Sequence, residues 1–310
     1  MKYFYSKLEE INLKEDVFLT IGSFDGLHIG HIKIIDNLIK NAELSNCKSL
    51  VISFNPHPKI FFNNSNNFMI NDIDSKIKIL SHHKLDYLID LVFDDSLTSL
   101  SYGEFENKLF DRLSIKKLYI GSDFRYGSNR EGDIKTLQSF CKLNQILCEE
   151  IDLVMESSEG KKISSSQIRN YLQTGQVILA NEFLNREFSI KGKVIKGDQR
   201  GRTVGIPTAN IEYPKGLIQI PYGVYAVKTK VNEKMLNGIV NFGMRPTFDK
   251  KIPIVEDFIF DFNQDIYGQE IEIYFFEKIR NEQKFNGIEE LLNQIKSDIT
   301  VSKKILNHGN

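Results

Sequence analysis

The chain has 310 residues, 41% of them hydrophobic, enough to bury a sizeable core and better suited to two domains than to one. A formal net charge of −1 excludes a broad basic footprint for nucleic acid, so any charged ligand must be met by local sites. Cys47, Cys141 and Cys148 lack C-x-x-C spacing, Met1 to Glu10 is polar, and no apolar run approaches the ~18 residues of a membrane span, so a soluble protein of the reducing cytoplasm is expected.

Asp16 to Ile21 is apolar and β-branched enough for a buried strand, which Gly22 and Gly26 end. From His31 onward Ile32, Ile34, Ile35, Leu38 and Ile39 fall at helical spacing, which predicts a helix over His31 to Leu44. His28 and His31, within Gly22-Ser23-Phe24-Asp25-Gly26-Leu27-His28-Ile29-Gly30-His31, thus stand at a strand-to-helix turn. Backbone N–H groups and the helix dipole favour phosphate there, and two imidazoles on one side of the first turn can reach one polyphosphate. A polar helix start or a metal-ligand pair is the alternative for a bare H-x-G-H, but the flanking strand, glycines and helix favour a phosphate turn.

Strands are expected over Val17 to Ile21, Ser49 to Phe54, Tyr87 to Phe93 and Lys117 to Gly121. Helices are expected over Ser75 to His83, Tyr102 to Leu113 and Ile134 to Leu143, and the polar tract from Asn63 to Asn67 reads as a surface loop. Such alternation predicts a doubly wound parallel sheet, with ligands outside the carboxyl ends of its strands. Phe54-Asn55-Pro56-His57-Pro58 and Gly121-Ser122-Asp123-Phe124-Arg125-Tyr126-Gly127 both follow strands at that edge. Each is either a rigid strand terminator or a wall of a nucleotide pocket. Lys162-Ile163-Ser164-Ser165-Ser166-Gln167-Ile168-Arg169 precedes a helix, where its hydroxyls cap the end and can also meet phosphate.

Residues 164–184 read as two short helices, and Asn185-Arg186-Glu187 as a linker. Short alternating strands then dominate, over Ser189 to Ile195, Gly223 to Val231, Leu236 to Asn241, Glu256 to Phe262 and Glu270 to Lys278. A helix over Ile288 to Ile299 closes the pattern, which predicts an antiparallel β-barrel with a terminal helix.

Gly22-x-Phe24-Asp25-Gly26-x-His28-x-Gly30-His31, the Phe54-to-Pro58 loop, Gly121-x-Asp123-Phe124 and Ile163-Ser-Ser-Ser-x-Ile-Arg169 together resemble the adenylyltransferase half of the bacterial bifunctional riboflavin kinase/FAD synthetase family. Gly192-x-Val194-x-x-Gly197-x-x-x-Gly201-Arg202-x-x-Gly205-x-Pro207-Thr208-Ala209-Asn210 resembles the kinase signature of the same family. So do Gly223-Val224-Tyr225, Asn241-Phe242-Gly243-x-Arg245-Pro246-Thr247, Glu256 with Asp261-Phe262, Tyr267-Gly268, and Arg280-x-Glu282-x-x-Phe285.

The resemblance implies a Rossmann-like nucleotidyltransferase domain over 1–184, a kinase barrel over 185–310, ATP and Mg²⁺ as requirements, riboflavin and FMN as substrates, and FMN and FAD as products. It implies ATP binding in the first domain by Gly22, Phe24, Asp25, His28, Gly30, His31, Lys162, Ser165, Ser166 and Arg169, and FMN binding by His57, Pro58, Asp123 and Phe124. In the barrel it implies Glu256 as catalytic base, with Gly197, Gly201, Arg202, Gly205, Pro207, Thr208, Asn210, Arg280 and Glu282 around ATP and flavin, and Thr208 and Asn210 toward the metal. Departures from the family pattern are modest: Ser166 for threonine, Lys162 for arginine, and Val204 and Ile206 for leucine and phenylalanine. Lysine keeps the charge but loses the bidentate fork.

Rival readings are another H-x-G-H nucleotidyltransferase, a chain with one silent half, a flavin- or nucleotide-holding protein without turnover, and a nucleic-acid-binding barrel. The second domain disfavours the first, His31 and Glu256 disfavour the third, and the charge balance disfavours the last. No membrane or obligate protein partner is indicated.

Overall fold

The computed structural model describes residues 1–63, 66–151, 163–197, 205–246 and 251–307, the side chains of Arg245, Pro246, Lys251 and Ile252 apart. It forms two compact units, Met1–Ser165 and Ser166–Asn310.

In the first unit β1 (Lys2–Ser6), β2 (Leu13–Ile21), β3 (Lys48–Asn55), β4 (Tyr87–Val92), β5 (Leu113–Gly121) and β6 (Leu147–Ile151) make one sheet. Its order is β1-β4-β3-β2-β5-β6, and every pairing is parallel. A parallel sheet is covered on both faces, which is why β2 reads as a continuous apolar run: Val17 to Ile21 are all buried. One face packs under the short α4 (Asp95–Thr98), α5 (Tyr102–Arg112) and α6 (Ile134–Leu143) through Leu97, Phe105, Leu109 and Leu137. The other packs under α1 (Ile29–Leu44) and α3 (Ile73–His82) through Ile34, Leu38 and Leu80. The chain winds one way from β2 through β3 to β4 and the other way through β5 to β6, so a crevice opens at the carboxyl ends of β2 and β5.

The expected doubly wound sheet is present, with differences of detail. Edge strands β1 and β6 do not stand out in the sequence: both are short and largely exposed, Glu149 and Glu150 interrupt β6, and Tyr5 and Leu147 remain exposed. Helix α1 begins at Ile29, with His28 as its N-cap, two residues before the expected start. A short α2 (Pro58–Asn63) occupies what reads as a loop start, because proline is favoured in a helix's first turn. Asn64 and Ser65 of the expected loop lie outside the described residues.

In the second unit α7 (Ser165–Gln173) and α8 (Val177–Leu184) pair through Tyr171 and Phe183, whose rings meet edge-on at 5.3 Å. Strands β7 (Phe188–Lys193), β8 (Ala209–Glu212), β9 (Gly223–Val231), β10 (Lys234–Pro246), β11 (Lys251–Ile259) and β12 (Glu270–Arg280) form an antiparallel sheet of order β7-β12-β9-β10-β11-β8. Its two edge strands meet where the Ile195 N–H donates to the Asn210 carbonyl at 2.8 Å, which closes the sheet on itself as expected of a barrel. Phe188, Tyr225, Phe242, Val255 and Phe275 fill the inside, while α9 (Ile288–Asn307) covers Val224, Ile239 and Phe260 outside. Strand β11 begins five residues earlier than expected and ends at Ile259, short of the positive φ of Asp261. The four-residue β8 follows a glycine- and proline-rich stretch and gives no periodic signal.

One carboxyl sits inside the barrel. Asp257 on β11 is fully buried, accepts a hydrogen bond from the Thr229 hydroxyl at 2.6 Å through one oxygen, and has no partner on the other among the described residues. Burial raises its pKa from 3.8 to about 7. A carboxyl with a raised folded-state pKa favours folding while protonated and loses that contribution as pH rises from the unfolded value toward 7. Barrel stability should therefore fall between pH 5 and pH 8 by about 2–3 kcal/mol from this group alone. Asp257→Asn, which retains an acceptor for Thr229, should flatten that slope in urea titrations at the two pH values.

Candidate nucleotide and phosphoryl-transfer sites

Where β2 ends, the Gly22 N–H still donates to the Ile52 carbonyl of β3, and the chain then turns sharply. Phe24 and Leu27 take positive φ of 43° and 42°, sparsely populated for side chains of this kind, and Gly26 has φ 84° with its Cα against the Ile70 side chain. The turn is held by Asp25. Its buried carboxylate accepts from the Ile70 N–H at 3.0 Å and the Asn71 N–H at 3.4 Å, and its carbonyl accepts from the Ser165 hydroxyl at 2.8 Å.

This turn delivers both histidines to the N-terminus of α1. His28, 3% exposed, caps the helix by accepting the His31 N–H on Nδ1 at 3.4 Å. An imidazole that accepts on Nδ1 and is neutral carries its proton on Nε2. The two rings stack with centroids 3.7 Å apart, and Phe24 meets His31 edge-on at 5.2 Å. Gly30 is buried in the same turn, where the first N–H groups of the helix lack intrahelical partners.

The second loop follows β3. His57, 8% exposed, accepts the Lys59 N–H on Nδ1 at 3.1 Å, its ring lies 4.9 Å from that of Phe68, and Pro58 starts α2. The third follows β5. Phe124 stacks on Tyr126 at 5.3 Å, and the Tyr126 hydroxyl donates to Glu106 of α5, whose pKa burial raises. Asp123 beside them is exposed. The expected loops thus follow β2, β3 and β5, three adjacent strands at one edge of the sheet. Ser166 and Arg169 stand in the first turn of α7, within the second unit, and Lys162 lies outside the described residues.

On the barrel, strand register aligns Asn210 of β8 with Glu256 of β11, and Glu256 with Asn241 of β10. Val255 and Asp257 point inward, so these three side chains form a row on the outer face. The Asn241 amide donates to a Glu256 carboxylate oxygen at 3.4 Å. Two positions on, the Glu282 carboxyl lies against the bare Cα of Gly243, and burial together with the charge of Glu256 raises its pKa. Gly197 packs on the Asn210 amide, which donates to the Thr208 carbonyl at 3.2 Å while its buried Oδ1 accepts no hydrogen bond from the described residues.

The row unites Gly197, Asn210, Glu256 and Glu282, and Thr208 joins it through its backbone. Arg280 is held elsewhere: its guanidinium grips the buried Asp298 carboxylate of α9 at 2.9–3.1 Å. Gly205 has φ 78° and is exposed, as is Pro207. Gly201, Arg202, Val204 and Thr247 lie outside the described residues. Asn241 was absent from the expected site residues although it stands in a quoted motif, and only strand register reveals its place. Phe68 and Ile70, which brace the first site, stand in no motif at all.

A doubly wound sheet with paired histidines at a phosphate-binding helix start, joined to a barrel with a carboxylate between two amides, defines a two-domain transferase acting on nucleotides. The FAD synthetase family model matches residues 10–167 and the riboflavin kinase family model matches residues 184–306. Bifunctional riboflavin kinase/FMN adenylyltransferases are similar along almost the whole chain. The protein of Buchnera aphidicola subsp. Schizaphis graminum is 39% identical over 97% of this chain and 96% of its own length. That of Bacillus subtilis is 39% identical over 90% and 89%, and that of Escherichia coli K12 is 34% identical over 92% and 91%. A crystal structure from Streptococcus pneumoniae, described as a macrolide-efflux protein, superposes with a TM-score of 0.89 at 28% identity over 98% of this chain and 99% of that one. The chain belongs to the bifunctional riboflavin kinase/FMN adenylyltransferase family and is a transferase with both enzymatic domains.

A Cβ on Gly197 would stand 2.6 Å from the Asn210 amide nitrogen. Gly197→Ala should therefore displace that amide and lower FMN formation by about tenfold or more, since small misplacements at a reacting centre are costly. FAD formation from supplied FMN should be unchanged, as read by chromatographic separation of the flavins.

Proposed function

We propose that the barrel phosphorylates riboflavin with ATP to give FMN, and that the parallel-sheet domain adenylylates FMN with a second ATP to give FAD and pyrophosphate. Phosphoryl transfer is assigned to residues 185–310 and adenylyl transfer to residues 1–184. What carries the reading is the presence in one chain of two differently equipped sites. One sets paired imidazoles at a helix start, and the other holds a carboxylate between amides.

The chemistry needs that difference. Riboflavin attacks the γ-phosphorus of ATP with an alcohol, whose proton must leave, and Glu256 is the group on the barrel face positioned to take it. Asn241 holds one of its oxygens, leaving the other to accept the proton. In adenylyl transfer the attacking FMN phosphate is already anionic, and pyrophosphate departs from the α-phosphorus. Alignment and charge stabilisation suffice there, supplied by His28, His31 and the N–H groups that open α1. Gly22, Phe24, Asp25 and Gly30 shape that turn, Ser165 ties it down, and His57, Pro58, Asp123 and Phe124 are assigned to the flavin side.

Mg²⁺ fits the barrel: the buried, unpartnered Oδ1 of Asn210 beside Thr208 is the kind of hard oxygen that takes it. When bound there, the ion would neutralise charge on the transferring phosphates. Among the described residues no helix is long and apolar enough to cross a membrane, which agrees with assignment to the cytoplasm.

Incubation with riboflavin, ATP and Mg²⁺ should yield both FMN and FAD; formation of neither would overturn the proposal. His31→Ala should cut FAD formation by about a hundredfold, the scale of losing one stabilising donor, and leave FMN accumulating. Glu256→Gln should abolish FMN formation while FAD is still made from supplied FMN.

A further inference from the structure

The buried polar cluster Ser53, Lys76 and Asp90 belongs to neither set of site residues. Ser53 and Asp90 are register partners on β3 and β4, and both face α3, which carries Lys76. The Ser53 hydroxyl donates to the Asp90 carboxylate, and the Lys76 ammonium lies 3.2 Å from that hydroxyl and 3.6 Å from the carboxylate. All three are at most 3% exposed.

Apolar side chains of similar volume usually serve stability as well as or better than a buried ion pair, so stability alone does not account for this one. Directional contacts do supply fixed placement. Lys76 ends a strap that starts at Phe68 and touches both loops of the adenylyl-transfer site. Phe68 lies on the His57 ring, and Ile70 and Asn71 donate to Asp25 in the turn that carries His28 and His31. Asp72 caps α3 by accepting the Ser75 N–H at 2.7 Å, and Lys76 then fixes that first turn of helix to the strands just before Asn55.

We infer that Lys76 and Asp90 are positioning residues for adenylyl transfer: through the strap of residues 68–76 they set the His57 loop against the histidine turn. The inference rests on the assignment of FMN to the His57 loop. Loss of the pair should spoil alignment of the two substrates more than the binding of either.

The test uses the full chain, whose riboflavin kinase activity serves as an internal control of folding. Lys76→Met alone leaves a buried carboxylate uncompensated and should lower stability, whereas Lys76→Met/Asp90→Leu should restore the thermal midpoint. In the double variant we expect kcat for FAD formation to fall about tenfold or more, with KM for FMN and for ATP each within about threefold and kinase activity unchanged. A wild-type kcat in the double variant, or a loss confined to KM, would overturn the inference. His57→Ala is measured alongside. If it impairs FAD formation while the double variant is fully active, the inference alone fails; if His57→Ala has no effect, the assignment of FMN to that loop fails and the inference falls with it.

Discussion

A buried carboxylate must find donors, and Asp25 finds them far away in sequence. Its acceptors draw in the N–H groups of Ile70 and Asn71, some 45 residues on, and the hydroxyl of Ser165, 140 residues on. A buried charge left without partners would be expensive, so the turn and its anchors are held as one arrangement. That arrangement keeps Phe24 and Leu27 in a backbone region they would not choose, and through it His28 and His31 stand at the helix start. Asp25 thus acts on the phosphate site through shape; both its oxygens face backbone donors.

The barrel solves a different problem by different means. There strand register, not a turn, aligns the polar groups: it places Asn210, Glu256 and Asn241 side by side. The inward neighbours Val255 and Asp257 anchor β11 from within, so alternation along one strand gives an interior face and a chemical face. Glycine is needed twice on that face: at Gly197 for the Asn210 amide and at Gly243 for the Glu282 carboxyl. A side chain at either position would occupy the space of a functional group.

Much of this was legible in the sequence. The buried stretches of β2, β3 and β4 read as largely apolar runs, while β7 and the second half of β9 alternate. What failed to show were elements with one partner or few residues, β1, β6 and β8, because their burial is set by neighbours distant in sequence. The site followed the same rule. His28, His57 and Phe124 stand in motifs just after strands and Glu256 in a motif within β11, whereas Ile70, Phe68 and Lys76 matter only through contacts across the fold. Arg280 is instructive in the opposite sense: it stands in a motif, yet its guanidinium is spent on Asp298 of α9, a pairing no local pattern reveals.

A fold does not by itself fix a function. Function must be argued from side chains that can do chemistry. The first domain sets stacked imidazoles at a helix start, and the barrel sets a carboxylate in register between two amides, beside a buried amide oxygen with no hydrogen-bond partner among the described residues. The barrel feature does not stabilise its domain: the Asn210 oxygen, without a partner among the described residues, and the crowded Glu256 and Glu282 carboxyls are costs to the folded chain. Costs of that kind, placed together on one face, are explained by a ligand that relieves them.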